Sequence, residues 1–435
     1  MGLNIMGAVL RRHAVIAVAA GALVTGLLPA VSAGAAETVP TSLITSSGYE
    51  RKTEEVGPGL TLLTYENPKD DRIVHVLRTD PDVAPLTVES TTGVSGALLE
   101  KTTDMLKATT STKSRWPHAG INGGFFYETP EGQAFMGISV QEGQVQSASC
   151  VRPRREAVLI QHGRPYVSDF TTHLTVSAPG VDPMPLDGVN RHPGWMRGCA
   201  QNSGTTDYPD DTNYRTNPSE IVAFTPQYKA PTPRPDGDSR FPEDDDPGAE
   251  AVIDARGKVL SLNPNGRGGT TVPAGGRVLQ GIGSGADWLR AHATVGTVLS
   301  LQERVRDERF GDDIPLDDSV DIVNGSYPLV RDAKYAYTGN NNFVDPRTAI
   351  AVDGPGRTLF VTVTGKKVRN GATLDELARI LLDLGAVDGL NLDGGGSTTL
   401  VVKETIRNRP VDTGGERPVA DAVYIGHGGY GLYAN

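Results

Sequence analysis

The stretch NLDGGGST, Asn391 to Thr398, places one carboxylate, three glycines and two hydroxyls at the end of an apolar run. Consecutive glycines allow positive φ and close backbone approach, and successive N–H groups in such a turn form an anion-binding concavity. Gly394, Gly395 and Gly396 would then offer main-chain donors to a phosphate or a sugar. Ser397 and Thr398 add hydroxyls, and Asp393 adds acid–base or electrostatic work. A tight hairpin in which Asp393 bonds its own backbone is the plainer alternative, and GGG alone does not separate the two. In INGGFFYE, Ile121 to Glu128, Asn122 projects an amide at a strand end while Gly123 and Gly124 turn the chain. Phe125 and the aromatics after it either wall a sugar or plug the core. Arg347 opens the apolar strand PRTAIAVD, where a guanidinium is costly unless it meets a carboxylate or a phosphate. Glu376, in LDELARI, is a second carboxylate candidate, or simply an exposed acid near a helix N-terminus. Asn391 and Asn122 could bind sugar hydroxyls or orient Asp393.

The surrounding elements have recognisable periods. LTLLTYEN, RIVHVLRTD and APLTVEST alternate apolar and polar residues and read as strands. GALLEKTTDMLKATT, Gly96 to Thr110, and LDELARILLDLGA read as helices. RVLQGIGSGADWLRAHA reads as a strand and turn feeding a short helix; the spacing of its glycines does not fit a dinucleotide fingerprint. Many strands and few helices predict an α+β domain built on a mixed, mostly antiparallel sheet with a few packed helices. A long Asp/Pro-rich insertion, about 187–247, interrupts it. The expected organisation is a signal peptide over 1–35, a β-rich segment over 36–94, a main domain over 95–405, and a C-terminal strand and tail of that domain over 406–435.

Bulk composition narrows the partners. The chain has 435 residues and a net charge of −11, with no basic stripe, which argues against nucleic acid. Arg11 and Arg12 precede an apolar run from Ala14 to Ala30, and Ala33-Gly34-Ala35 offers a cleavage site, so secretion is expected without stable membrane insertion. Cys150 and Cys199 are the two cysteines, and in an oxidising compartment one disulfide is their simplest fate. The eight histidines show no HxH or HxxxH spacing, so no metal or other cofactor is expected at a catalytic site. The abundance of Asp, including the run from Glu243 to Asp246, could serve a structural calcium, although a solvated acidic loop reads better.

INGGFF, Asn190-Arg191, IVAFTPQY, TTVPAGGRVLQGIGSGADWL, PRTAIAVD, TLDELARILLDLGA and NLDGGGSTTLV follow one another in that order. Together they resemble the phosphodiester glycosidase family over roughly residues 95 to 405. The resemblance implies hydrolysis of a glycosyl-1-phosphodiester, or of a phosphate-linked glycan of the cell wall or extracellular space, giving free sugar and a phosphomonoester. Phosphate is a good leaving group, so a strong general acid matters less than donors for its oxygens. On that reading Asp393, Glu376 and Arg347 are the catalytic candidates. Asn122, Gly123, Gly124, Phe125, Asn190, Arg191, Asn391, Gly394, Gly395, Gly396, Ser397 and Thr398 would line the substrate. A non-catalytic carbohydrate-binding protein and a metal-dependent phosphodiesterase are the rival readings.

Overall fold

The computed structural model describes residues 43–44, 48–113, 116–129, 132–149, 156–196, 215–216, 219–235, 245–340, 343–367 and 369–427. The expected leader, Cys150 and Cys199 lie outside these residues. Strand makes up 48% of the structure and helix 11%. Three α-helices occur among the described residues: α1 (Thr102–Lys113), α2 (Gly283–His292) and α3 (Leu374–Asp383). The α+β expectation with packed helices is therefore corrected to a mostly β fold of large antiparallel sheets. The helical patterns were real but few. Most strands are buried on both faces, and their apolar runs join through distant pairings that no local period announces.

Six strands position the site: β1 (Trp116–Asn122), β2 (Val320–Asn324), β3 (Arg347–Asp353), β4 (Ala386–Asn391), β5 (Leu400–Val402) and β6 (Ala422–His427). β3 and β4 pair inside an eight-stranded sheet, with Ala349 opposite Asn391. β1 lies between β5 and β6 in a five-stranded sheet, with Asn122 opposite Ala422. Ile121, Val323, Ile350, Leu390, Leu400 and Val423, one from each of the six strands, are buried in one apolar cluster. Each such side chain contributes roughly 1.5–3 kcal/mol by leaving water, so the strand ends are held by a shared core rather than by the loops.

α3 covers one face of the larger sheet. Leu374, Leu377, Ala378 and Leu381 are buried, and Gly385, with φ of 83°, follows its last turn. Its start is a capping box: Thr373 Oγ1 accepts from the Glu376 N–H at 3.1 Å, and Glu376 Oε2 accepts from the Thr373 N–H at 2.9 Å. The expected helix over 96–110 starts later. Gly96, with φ of 64°, turns the chain, and Glu100–Lys101 pairs with Pro418–Val419 before α1 begins. The 187–247 stretch is not a plain insertion either. Gly188–Val189 pairs in parallel with Glu220–Phe224, a fully buried strand that pairs in turn with Arg277–Ile282. Among the described residues no helix is long and apolar enough to cross a membrane.

Candidate active site

The turn after β4 and the turn after β1 meet. The Asp393 N–H donates to the Gly123 carbonyl at 3.1 Å, and Asn122 Nδ2 donates to the Asp393 carbonyl at 2.7 Å. Asn122 is itself buried, and its Oδ1 accepts from Thr348 Oγ1 at 2.8 Å and from the Thr399 N–H at 3.1 Å. One amide thus fixes three segments, and Asn122 orients Asp393 through the main chain. The Asp393 side chain is only partly accessible, and Oδ1 accepts from the Gly394 N–H at 2.9 Å. Burial pushes its pKa up to about 6, against the pull of Ser397, the Gly394 amide and Arg417; Asp345 pushes the same way as burial.

A second acid lies behind it. Asp421, immediately before β6, is buried; its Oδ1 accepts from the Gly124 N–H at 2.8 Å, and the Gly123 Cα packs directly on its carboxyl. Burial raises its pKa to about 7, with Asp393 adding a like charge. Asn324, at the end of β2, completes this wall. Its Oδ1 accepts from the Phe125 N–H at 2.8 Å, while the buried Nδ2 has no partner among the described residues. Asn391 Oδ1 is also buried without a partner, its Nδ2 reaching Ser326 Oγ at 3.3 Å.

The glycine triplet is ringed by arginines. Gly394 packs on Pro346 and Arg347, Gly395 on the Arg369–Asp345 pair, and Gly396 on the Arg417–Asp412 pair. Gly395 has φ of 60°, which favours glycine, and a side chain at Gly396 would displace the Arg417 guanidinium from the turn. The triplet's amides are largely taken within the protein. Gly394 N–H meets the Asp393 carboxylate, and Gly395 N–H donates to the Pro346 carbonyl at 2.9 Å. Arg347, expected as the cation of the site, is buried and spends Nε on the Ala372 carbonyl at 2.8 Å and Nη2 on the Phe343 carbonyl at 2.6 Å.

The other expected residues divide between these turns and the rest of the fold. Glu376 is committed to its capping box and to Arg72 Nη2 at 3.0 Å. Asn190 bonds Gln146 and Thr225, including Thr225 Oγ1 at 3.0 Å. Arg191 is buried in a two-pronged pair with Glu220 at 2.7 and 2.8 Å. Phe125 remains half-buried on the turn after β1. Ser397, at the end of the 3₁₀ turn that begins at Gly395, and Thr398 just after it are both buried. Asp421, Asn324, Arg369 and Arg417 were not anticipated. An acid just before the apolar strand AVYI, and the arginine after DTGGE, were the available signals.

Residues 247–426 match the phosphodiester glycosidase family. The matched segment carries Asn324, Arg347, Arg369, Asp393, Arg417 and Asp421, whereas Asn122 to Gly124 precede it. Over 71 residues the chain is 38% identical to the N-acetylglucosamine-1-phosphodiester alpha-N-acetylglucosaminidase of Bos taurus, 16% of this chain and 14% of that protein. The Homo sapiens protein of the same name gives the same identity and the same shares. The similarity thus spans about one seventh of those relatives' length. Among solved structures, a Burkholderia pseudomallei K96243 protein is similar at a TM-score of 0.68 and 26% identity, over 81% of this chain and 74% of that one. A hypothetical protein from Synechocystis shares the fold at a TM-score of 0.61 and 16% identity, over 87% and 68%.

Proposed function

We propose that the protein is a secreted hydrolase that cleaves the sugar–phosphate bond of glycosyl-1-phosphodiesters. The observation that carries this reading is Asp393: a mostly buried, partly accessible acid on an arginine-ringed glycine turn, inside the segment that matches the phosphodiester glycosidase family. With a pKa raised to about 6, it is largely ionised at neutral pH and still basic enough to take a proton from water. In the proposed step, water attacks the anomeric carbon as Asp393 accepts its proton. The C–O bond to phosphate breaks, and its electron pair leaves on the phosphomonoester oxygen. Phosphate needs no proton to depart, so no second carboxylic acid has to touch it. Asp421, sealed behind Gly123 and Gly124, holds the opposing turn, while burial keeps Asp393 basic. The unpartnered Asn324 Nδ2 and Asn391 Oδ1 are proposed to receive sugar hydroxyls, since a buried amide atom without a bond is costly until a ligand fills it.

The test is a screen of para-nitrophenyl-phosphoryl sugars and nucleotide sugars with the wild type and Asp393→Asn in parallel. Release of free sugar by the wild type alone is expected. No turnover of any member by the wild type, with glycan binding retained, would instead make this a binding protein.

A further inference from the structure

The main-chain amides at Gly394 and Gly395 have protein acceptors, and Arg347 Nε and Nη2 are tied to carbonyls. Neither group is placed to grip an incoming anion. The two remaining arginines on the triplet differ in how they are held. Arg369 gives Nε to Asp345 Oδ1 at 2.7 Å and Nη2 to Asp345 Oδ2 at 3.1 Å. Arg417 gives Nε to Asp412 Oδ2 at 2.7 Å and Nη2 to Asp412 Oδ1 at 3.2 Å. In both, the carboxylate takes the Nε–Nη2 edge, and Nη1 has no acceptor among the described residues. A guanidinium held on that edge keeps its Nη1–Nη2 end available for a second oxyanion.

The two pairs are neighbours. Arg369 feels Asp412 as well as Asp345, and Asp393 feels both Arg417 and Asp345. Both arginines remain about half exposed, at 52% and 42% of the side chain, while each aspartate is about 30% exposed and fixes the direction of its fork. Removing Cβ at Gly395 and Gly396 is what lets these guanidinia lie on the turn beside Asp393.

Resting on the hydrolase reading for its placement, we propose that Arg369 and Arg417 form a two-fork clamp for the phosphate of the substrate, aimed by Asp345 and Asp412. The clamp puts the phosphate oxygens over the glycine turn and the anomeric carbon toward Asp393. It recognises the tetrahedral oxyanion and is indifferent to the sugar.

Inorganic phosphate is the probe, titrated calorimetrically into the full chain at constant ionic strength set with chloride. Saturable binding is expected, with Arg369→Gln and Arg417→Gln each weakening it by about tenfold or more and the double variant removing it. Arg417→Lys keeps the charge without the fork and should still weaken binding about fivefold. Tm of each variant reports its folding, so the lysine variant carries the test if a glutamine variant fails to fold. Absence of saturable phosphate binding by the wild type overturns the clamp, as do folded variants with wild-type affinity. Phosphate binding lost in the variants, in a protein that hydrolyses no glycosyl phosphodiester, supports the clamp and overturns the hydrolase reading. Hydrolysis with phosphate affinity unmoved by both variants does the reverse.

Discussion

Asn122 Nδ2 donates to the main-chain carbonyl of Asp393 at 2.7 Å, tying the end of β1 to the turn that follows β4. Through this bond Asn122 holds the main chain of the acid. Asn122→Ala would leave the Thr399 N–H, the Thr348 hydroxyl and the Asp393 carbonyl without their shared partner. A stability loss of roughly 2–4 kcal/mol is expected from chemical denaturation, together with a fall in kcat larger than any change in KM.

With Asp393 in the proposed role of ionised base, activity should rise with pH through about 6. Burial sets that midpoint, and Asp421, pushed up to about 7 by its own burial, is still mostly protonated there and adds little repulsion. Asp421→Asn keeps a neutral group there whose Oδ1 can still accept from the Gly124 N–H. The rising limb of kcat/KM is therefore expected to stay near pH 6 in the variant, and a midpoint displaced by a full unit would contradict this assignment.

The same variant has a stability signature. Asp421 titrates near 7 in the fold against 3.8 for a free side chain, so the folded state binds its proton more tightly. Its favourable contribution is present while the group is protonated and is lost as pH rises from about 4 to 7. Asp421→Asn should match the wild type near pH 4 and exceed it at pH 8 by up to about 4 kcal/mol. Denaturation midpoints at the two pH values provide the comparison.

Arg191 and Glu376, both read from sequence as site residues, are expected to matter for folding alone. Arg191→Met strands the buried Glu220 carboxylate and should cost about 3–5 kcal/mol. Glu376→Ala removes half a capping box and the partly exposed pair with Arg72, a loss of about 1–2 kcal/mol. For both, kcat and KM of the folded protein should stay at wild-type values.

The contrast shows what a sequence can carry. The turns at Asn122–Gly124 and Asp393–Thr398 were legible because consecutive glycines after an apolar run are a local signal, and α3 because its cap and apolar stripe are local too. The fold class was not. β3 and β4 gain their meaning from pairing with strands far away in the chain, and three helical patterns suggested a balance of helix and sheet that the mostly β fold does not have. Asp421, Arg369 and Arg417 escaped for a similar reason: their roles depend on Gly123, Gly395 and Gly396, which reach them only after folding. Asn190 and Arg191 show the converse, since a polar pair that looks available in sequence is bonded to Gln146, Thr225 and Glu220 within the fold.

The most direct test of Asp393 acting at an anomeric carbon is hydrolysis of a glycosyl-1-phosphodiester in heavy-oxygen water, with Asp393→Asn alongside. Heavy oxygen should appear in the released sugar, and the variant should turn over about a thousandfold more slowly while still binding substrate. Label in the phosphomonoester, or an Asp393→Asn protein as active as the wild type, would contradict it.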